Sequence, residues 1–423
     1  MLVFHSLKEK GVVLMDDKLL ENYARLIVRA GINLQAGQYL VINSPIECAP
    51  FTRRIARIAY AEGAKDVIVN WKDELFSRLR FLHAPESVFE EFPQWQKDFY
   101  LSYMREGAAF LSIAAADPEL LKDVDPDRVA KAQRTANVAL KEYRGNLMNN
   151  QNVWCVISVP TESWAKRVFP GVAPPEASMK LWRAIAAAVR ADTDDPIAAW
   201  IKHKERLKKS TEFLNEHKFK FLQYKNSLGT DLQIELPADH VWLGGAEHSG
   251  RGIEFIANLP TEEVFTLSQK EGVQGTVVAS KPLQYNGSLI EQFSLTFKDG
   301  KIVDFQAKKG ADILKRLIET DEGSHYLGEV ALVPHNSPIS NANILFYNTL
   351  FDENASCHLA IGKAYPVCLK NGTNLSPEAL AQSGVNDSLV HEDFMIGTAD
   401  LSITGITADG KEIPVFIEGN FAF

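Results

Sequence analysis

From residue 17 to about residue 215 the chain alternates two apolar rhythms. Leu19, Leu20, Tyr23, Leu26, Ile27 and Ala30 recur with the 3.6-residue period of an amphipathic helix, and QYLVIN then gives a short apolar run that reads as a buried strand. The rhythm repeats: the helix-like FTRRIARIAYAEG precedes DVIVNW, AAFLSIAA is a third strand and VWCVISVP a fourth. Between the last two, Asp125-Pro126 places an N-cap before a proline at the first helical position, with Val129, Ala132, Ala136, Leu140 and Tyr143 on one face. Strands that lack polar alternation and are separated by helices imply a parallel sheet covered on both faces.

Residues 175 to 215 read as mostly helical, with TDDPIAAWIKHKERLKKSTEFLNEH as a long charged helix that crosses to a second domain. After Phe219 the texture changes. KFLQYKN, TDLQIELP, GIEFIAN, FSLTFKDGKIVDFQA and EIPVFIEGN are short strand patterns broken by Gly, Asn and Asp, and Lys298-Asp299-Gly300-Lys301 is a hairpin signal. The expected architecture is an α/β N-terminal domain with an open parallel sheet over residues 15–215. A mainly antiparallel β (α+β) C-terminal domain follows over residues 216–423. Residues 1–14 read as an extension ahead of a natural start at Met15, which directly precedes the helix-start pair Asp16-Asp17.

Composition changes this picture little. A chain of 423 residues exceeds what one hydrophobic core usually organises, and 46% apolar with 23% charged residues is ordinary for a globular protein. The net charge of −9 argues against a nucleic-acid or anionic-membrane partner, because both require clustered Lys and Arg. Cys48, Cys155, Cys357 and Cys368 are scattered, without the spacing of a metal knuckle or a disulfide framework, so a reducing, cytoplasmic setting is expected. No apolar run approaches the roughly 20 residues of a membrane helix.

Candidate chemistry lies in the last 165 or so residues. His391 and Asp393 stand two apart in LVHEDFMIG, so a strand would point both to one face. Glu329 lies in the apolar YLGEVALV, His358 in SCHLAIGKAY, and Glu262 and Glu263 follow Pro260-Thr261. Each alone has an ordinary account: a surface strand pair, a salt-bridged strand residue, a satisfied core histidine, and a helix N-terminus with acids in its first turn. Together they are costly charges in apolar surroundings, which must be paired, neutralised or bound to a metal. Cys357 is read as a small buried hydrophobe facing away from His358, and the glycine-rich loop Gly244, Gly245, Gly250 and Gly252 as a turn near the site. His83, His203, His217, His240, His248, His325 and His335 lack ligand-like spacing and read mostly as surface residues.

Two imidazoles with three carboxylates suit Zn²⁺, Co²⁺ or Mn²⁺, with Mg²⁺ possible. Five ligands exceed the three of one catalytic zinc and suit two ions sharing a carboxylate. Such a pair polarises a carbonyl and lowers the pKa of water toward about 7. Hydrolysis of an amide, ester or phosphate is the natural outcome.

NLPTEEVFT, GEVALV, ENASCHLAIGKAY and HEDFMIGT resemble the signature blocks of the thermophilic aminopeptidase family of metallopeptidases, the group containing aminopeptidases T, S and II. The likeness extends over nearly the whole chain from Met15. It implies metal ligation by Glu263, Glu329, His358, His391 and Asp393, and it places the family's active-site tyrosine on Tyr365, which would donate to the developing oxyanion. It favours Glu263 over Glu262 as the ligand and leaves both as candidates for the carboxylate that shuttles a proton. It also implies removal of N-terminal residues from short peptides, and a homodimer enclosing the active sites. One departure is LSQKEG after VFT, where relatives have a proline-containing segment. Two other readings compete: another binuclear-metal hydrolase, such as an amidase or phosphoesterase, and a non-catalytic metal-binding scaffold.

Overall fold

A computed structural model describes residues 16–286 and 288–423; the expected extension 1–14 lies outside them. Asp16 caps the first helix, Asp17–Leu26, by accepting from the Lys18 N–H, and the helix buries Tyr23, Ala24 and Leu26. The four predicted strands form β1 (Tyr39–Pro45), β2 (Asp66–Lys72), β3 (Ala109–Ile113) and β4 (Trp154–Ile157). They make one parallel sheet in the order β2-β1-β3-β4. On β1, Leu40 and Ile42 enter one apolar cluster while Val41 enters another with Phe110 and Tyr143, so both faces are covered as the unbroken apolar run implies. The predicted helix after Asp125 is two helices, Pro126–Ala139 and Lys141–Met148, broken at Leu140. Leu140 and Tyr143 are buried all the same.

The long helix runs from Pro196 to His217, capped by Asp195 onto the Ala198 N–H. Trp200 near its start packs in the core beneath the parallel sheet, whereas Leu207 and Leu214 belong to the core of the second half. One helix thus ties the two cores together.

The second half is built on two larger antiparallel sheets. One has nine strands among the described residues, and the expected turn at 298–301 closes its longest hairpin. Asp299 and Gly300 both take positive φ, 51° and 77°, as a two-residue turn of that kind demands. A Cβ on Gly300 would run into the Lys270 carbonyl. The other sheet carries the site. Its strands are β5 (Leu243–Gly244), β6 (Val264–Thr266), β7 (Leu327–Leu332), β8 (His358–Gly362) and β9 (His391–Met395), in the order β9-β8-β7-β6-β5.

GIEFIAN departs from expectation. Only Glu254–Phe255 forms a strand, paired with Glu247–His248. The rest runs beside β4: the Val156 N–H donates to the Ala257 carbonyl at 2.7 Å and the Leu259 N–H to the Val156 carbonyl at 2.9 Å. Phe255, Ile256 and Leu259 are buried in the first core, so this apolar run serves the edge of the parallel sheet rather than an antiparallel one.

Candidate metal centre

The site begins with strand register. Glu329 lies opposite Ala360, and Ala360 opposite Asp393, while Ala331 faces His358 and Gly362 faces His391. Residues two apart on a strand share a face, so His358 on β8, His391 and Asp393 on β9 and Glu329 on β7 all point one way. Leu359, Ile361, Val330 and Phe394 point the other way, into the second core. A register shift between Leu327 and Glu329 brings Glu329 opposite Ala360, whose small side chain leaves room between the flanking carboxylates. Glu263 enters from the residue before β6.

Two triplets result, Glu263–Glu329–His358 and Glu329–His391–Asp393, each with ligand atoms within 4.8 Å of one another. Glu329 belongs to both. One of its oxygens lies 3.7 Å from His358 Nε2 and the other 3.3 Å from His391 Nε2. His358 Nε2 is also 3.0 Å from Glu263, and His391 Nε2 is 3.6 Å from Asp393. The ring orientations follow from the other nitrogens. His391 Nδ1 donates to the Lys363 carbonyl at 2.7 Å, and His358 Nδ1 lies 3.1 Å from the carbonyls of Glu353 and Ser356. Both imidazoles therefore present Nε2 to the carboxylates, the arrangement metal-binding histidines use.

The donor set fits divalent cations on a second count. Glu247 and Glu353 join Glu263, Glu329 and Asp393 around one cavity. Among the described residues no Lys or Arg pairs with any of the five. Burial pushes Glu353 well above the usual carboxylate range, with Asp393 and Glu263 adding to the rise. Burial also raises Asp393 to about 6, against the pull of His391. The buried Asp393 Oδ1 has no hydrogen-bond partner among the described residues. A cavity rimmed by so much negative charge is a place for a cation.

Glu262 points elsewhere. Its carboxylate accepts from Arg190 Nη2 at 2.6 Å, with both side chains buried, and lies 3.6 Å from His203 Nε2. His203 Nε2 donates to the Thr261 carbonyl at 2.7 Å, so Nδ1 is the acceptor facing Arg190 at 3.2 Å. Burial and the Arg190 charge keep this imidazole neutral, with its pKa down at about 3. Asn354 Oδ1 accepts from the Glu262 N–H at 2.7 Å. No helix begins here, contrary to the ordinary account of the acidic pair; the segment leads into β6. Glu262, Arg190 and His203 instead pin the backbone that delivers Glu263. His203 and His240, expected at the surface, are buried, because the long helix is covered on the His203 side and the Pro237 carbonyl holds His240.

Tyr365 lines the same cavity as the five candidate ligands, its ring 4.7 Å from that of His391. The hollow over these residues, counted out to open solvent, is about 560 Å³. Its remaining wall includes Trp154 of β4 and the 244–247 turn. Sequence reasoning missed Trp154, Glu247 and Glu353. Trp154 reads as one more apolar strand residue, Glu247 sits in a glycine-rich turn, and Glu353 stands in a polar stretch whose burial no periodicity announces.

Residues 16–421 match the family described as thermophilic metalloprotease (M29). The chain belongs to this family. It is 53% identical to Aminopeptidase 2 of Geobacillus stearothermophilus over 407 residues, covering 96% of this chain and 98% of that protein. It is 50% identical to aminopeptidase AmpS of Bacillus subtilis over 404 residues, again 96% of this chain and 98% of that protein. Wild-type AmpT from Thermus thermophilus superposes with a TM-score of 0.89 at 38% identity, over 97% of this chain and 100% of that one. The M29 match spans both halves, so the parallel and the antiparallel sheets belong to one family architecture. No described helix is long and apolar enough to cross a membrane.

Proposed function

We propose that this M29 member is a two-metal aminopeptidase that releases N-terminal residues from short peptides. The observation that carries the reading is the shared carboxylate: Glu329 sits in both triplets with one oxygen toward each histidine. In this reading Glu263, Glu329 and His358 hold one divalent cation, and Glu329, His391 and Asp393 the other. When bound, the cations supply Lewis acidity and a nucleophilic hydroxide at neutral pH. The mixed N/O donors suit Zn²⁺, Co²⁺ or Mn²⁺. Tyr365 faces the cavity and donates from its hydroxyl to the carbonyl oxygen as that atom gains charge. Proton transfer from water to the leaving amine needs a carboxylate over the cavity. The Arg190 ion pair occupies Glu262, which leaves Glu263 of the acidic pair. Glu353 lines the cavity outside both triplets and offers a second proton carrier free of a ligand's duty.

A panel of aminoacyl-anilides, N-blocked peptides and phosphate esters tests the reading. We expect turnover of the substrates with a free amino group alone. Equal rates on blocked peptides would point to a general amidase, and turnover of the phosphate esters to a phosphoesterase.

A homodimer is supported by an apolar patch. The helix Glu74–His83 buries none of its residues, and it leaves Leu75 65% and Phe76 66% exposed, close in sequence to Trp71 on the edge strand β2. Sedimentation of the protein as a monomer would reject this. A cytoplasmic setting is supported by the four cysteines, all free and buried.

A further inference from the structure

The cavity over the candidate ligands has two unlike ends. Trp154, Asn258, Glu353, Tyr365 and Asp393 also border a second, more open hollow of about 880 Å³. On the other side, Gly244, Ala246, Glu247 and Ile256 line the first cavity and not this hollow. An exopeptidase that cuts after the first residue must let the rest of the peptide out, and the wider hollow gives it room. The free ammonium group then lies on the side away from that hollow.

Two lining carboxylates stand outside the metal triplets. Glu353 borders both hollows, whereas Glu247 lines the first and not the second. Glu247 lies in the short strand paired with Glu254–Phe255, and the Asn150 side-chain amide donates to its carboxylate. Asn150 is itself fixed: its Oδ1 accepts from Trp154 Nε1 at 3.2 Å and its carbonyl from the Gly250 N–H at 2.7 Å. Glu247 is thus held in place by the first half of the chain. Among the described residues it has no Lys or Arg partner, and it gathers with no other pair of acids or histidines closely enough to hold a metal. A cationic group brought in by the substrate suits it, since an ammonium carries three N–H donors and a carboxylate acceptor gives the stronger, charge-assisted kind of hydrogen bond.

We infer that Glu247 anchors the free α-ammonium group of the substrate, with Trp154 and Ile256 against the first side chain. The assignment rests on the aminopeptidase reading and gives that reading its means of telling a free N-terminus from a blocked one. L-leucine and 4-methylpentanoate test it, because they share a side chain and a carboxylate and differ in the ammonium group. Titration calorimetry on the metal-loaded enzyme should show the wild type preferring leucine. In Glu247→Gln leucine affinity should fall at least about tenfold while 4-methylpentanoate is held within about twofold. Glu247→Asp should fall between the two, which separates loss of charge from loss of folding. Leucine affinity unchanged in Glu247→Gln, or equal losses for both compounds, would overturn the assignment and leave the aminopeptidase reading intact. A wild-type enzyme that binds leucine no more tightly than 4-methylpentanoate would also overturn the assignment, whereas the aminopeptidase reading falls only if substrates with a free amino group are not turned over.

Discussion

The parallel sheet of the first half and the five-stranded antiparallel sheet of the second divide the work of this molecule unequally. In doubly wound α/β folds, ligands usually bind at the carboxyl ends of the parallel strands. Here β1 is buried from Leu40 to Pro45, and the parallel sheet offers the cavity mainly one side chain, Trp154. The antiparallel sheet has one apolar face for packing and one face free for chemistry. His358, Ala360, His391, Asp393 and Glu329 lie on that free face. A sheet buried on both sides is a scaffold, whereas one with a face to spare can collect charge.

Three substitutions probe this division. Glu329→Ala removes the residue common to both triplets. It should cut kcat on an aminoacyl-anilide by about 10³-fold or more, since metal-ion catalysis is worth several kcal/mol, while circular dichroism reports an unchanged fold. Retention of most of the activity would detach the chemistry from the antiparallel sheet. Glu262→Ala should act on stability: stranding Arg190 as a buried, unpartnered charge costs about 3–5 kcal/mol, read as a lower denaturant midpoint. An effect on activity alone would place Glu262 in the chemistry rather than behind it. Trp154→Ala, the parallel sheet's contribution to the cavity, should shift the preference among aminoacyl-anilides by about tenfold or more, with folding retained. An unchanged preference would make the first half scaffold only.

What was legible in the sequence divides along the same line. Buried parallel strands such as QYLVIN and VWCVISVP announce themselves because both of their faces are apolar, and the period of the helices between them is plain. The strands that carry the candidate ligands are legible for a related reason: Glu329, His358 and Asp393 interrupt apolar runs, where a charge needs an explanation. GIEFIAN looks like an antiparallel strand because its pattern is apolar, but pattern does not say which sheet edge a run will join. The acidic pair at 262–263 reads equally as a helix start or a strand entry, and only Arg190, 72 positions upstream, decides which carboxylate turns away from the site. Glu247 lies in a two-residue strand and Glu353 in a short 3-10 turn of helix, where local sequence carries no sign of burial. Their place depends on contacts between the two halves, and no local pattern encodes those.

In the two-metal reading one carboxylate, Glu329, is shared by two cations on the free face of the antiparallel sheet. Anomalous diffraction from crystals grown with Co²⁺ or Zn²⁺ tests it most directly. The account predicts two peaks per chain, one among Glu263, Glu329 and His358 and one among Glu329, His391 and Asp393, with Glu329 within bonding distance of both. A single peak, or two peaks that do not share Glu329, would contradict it.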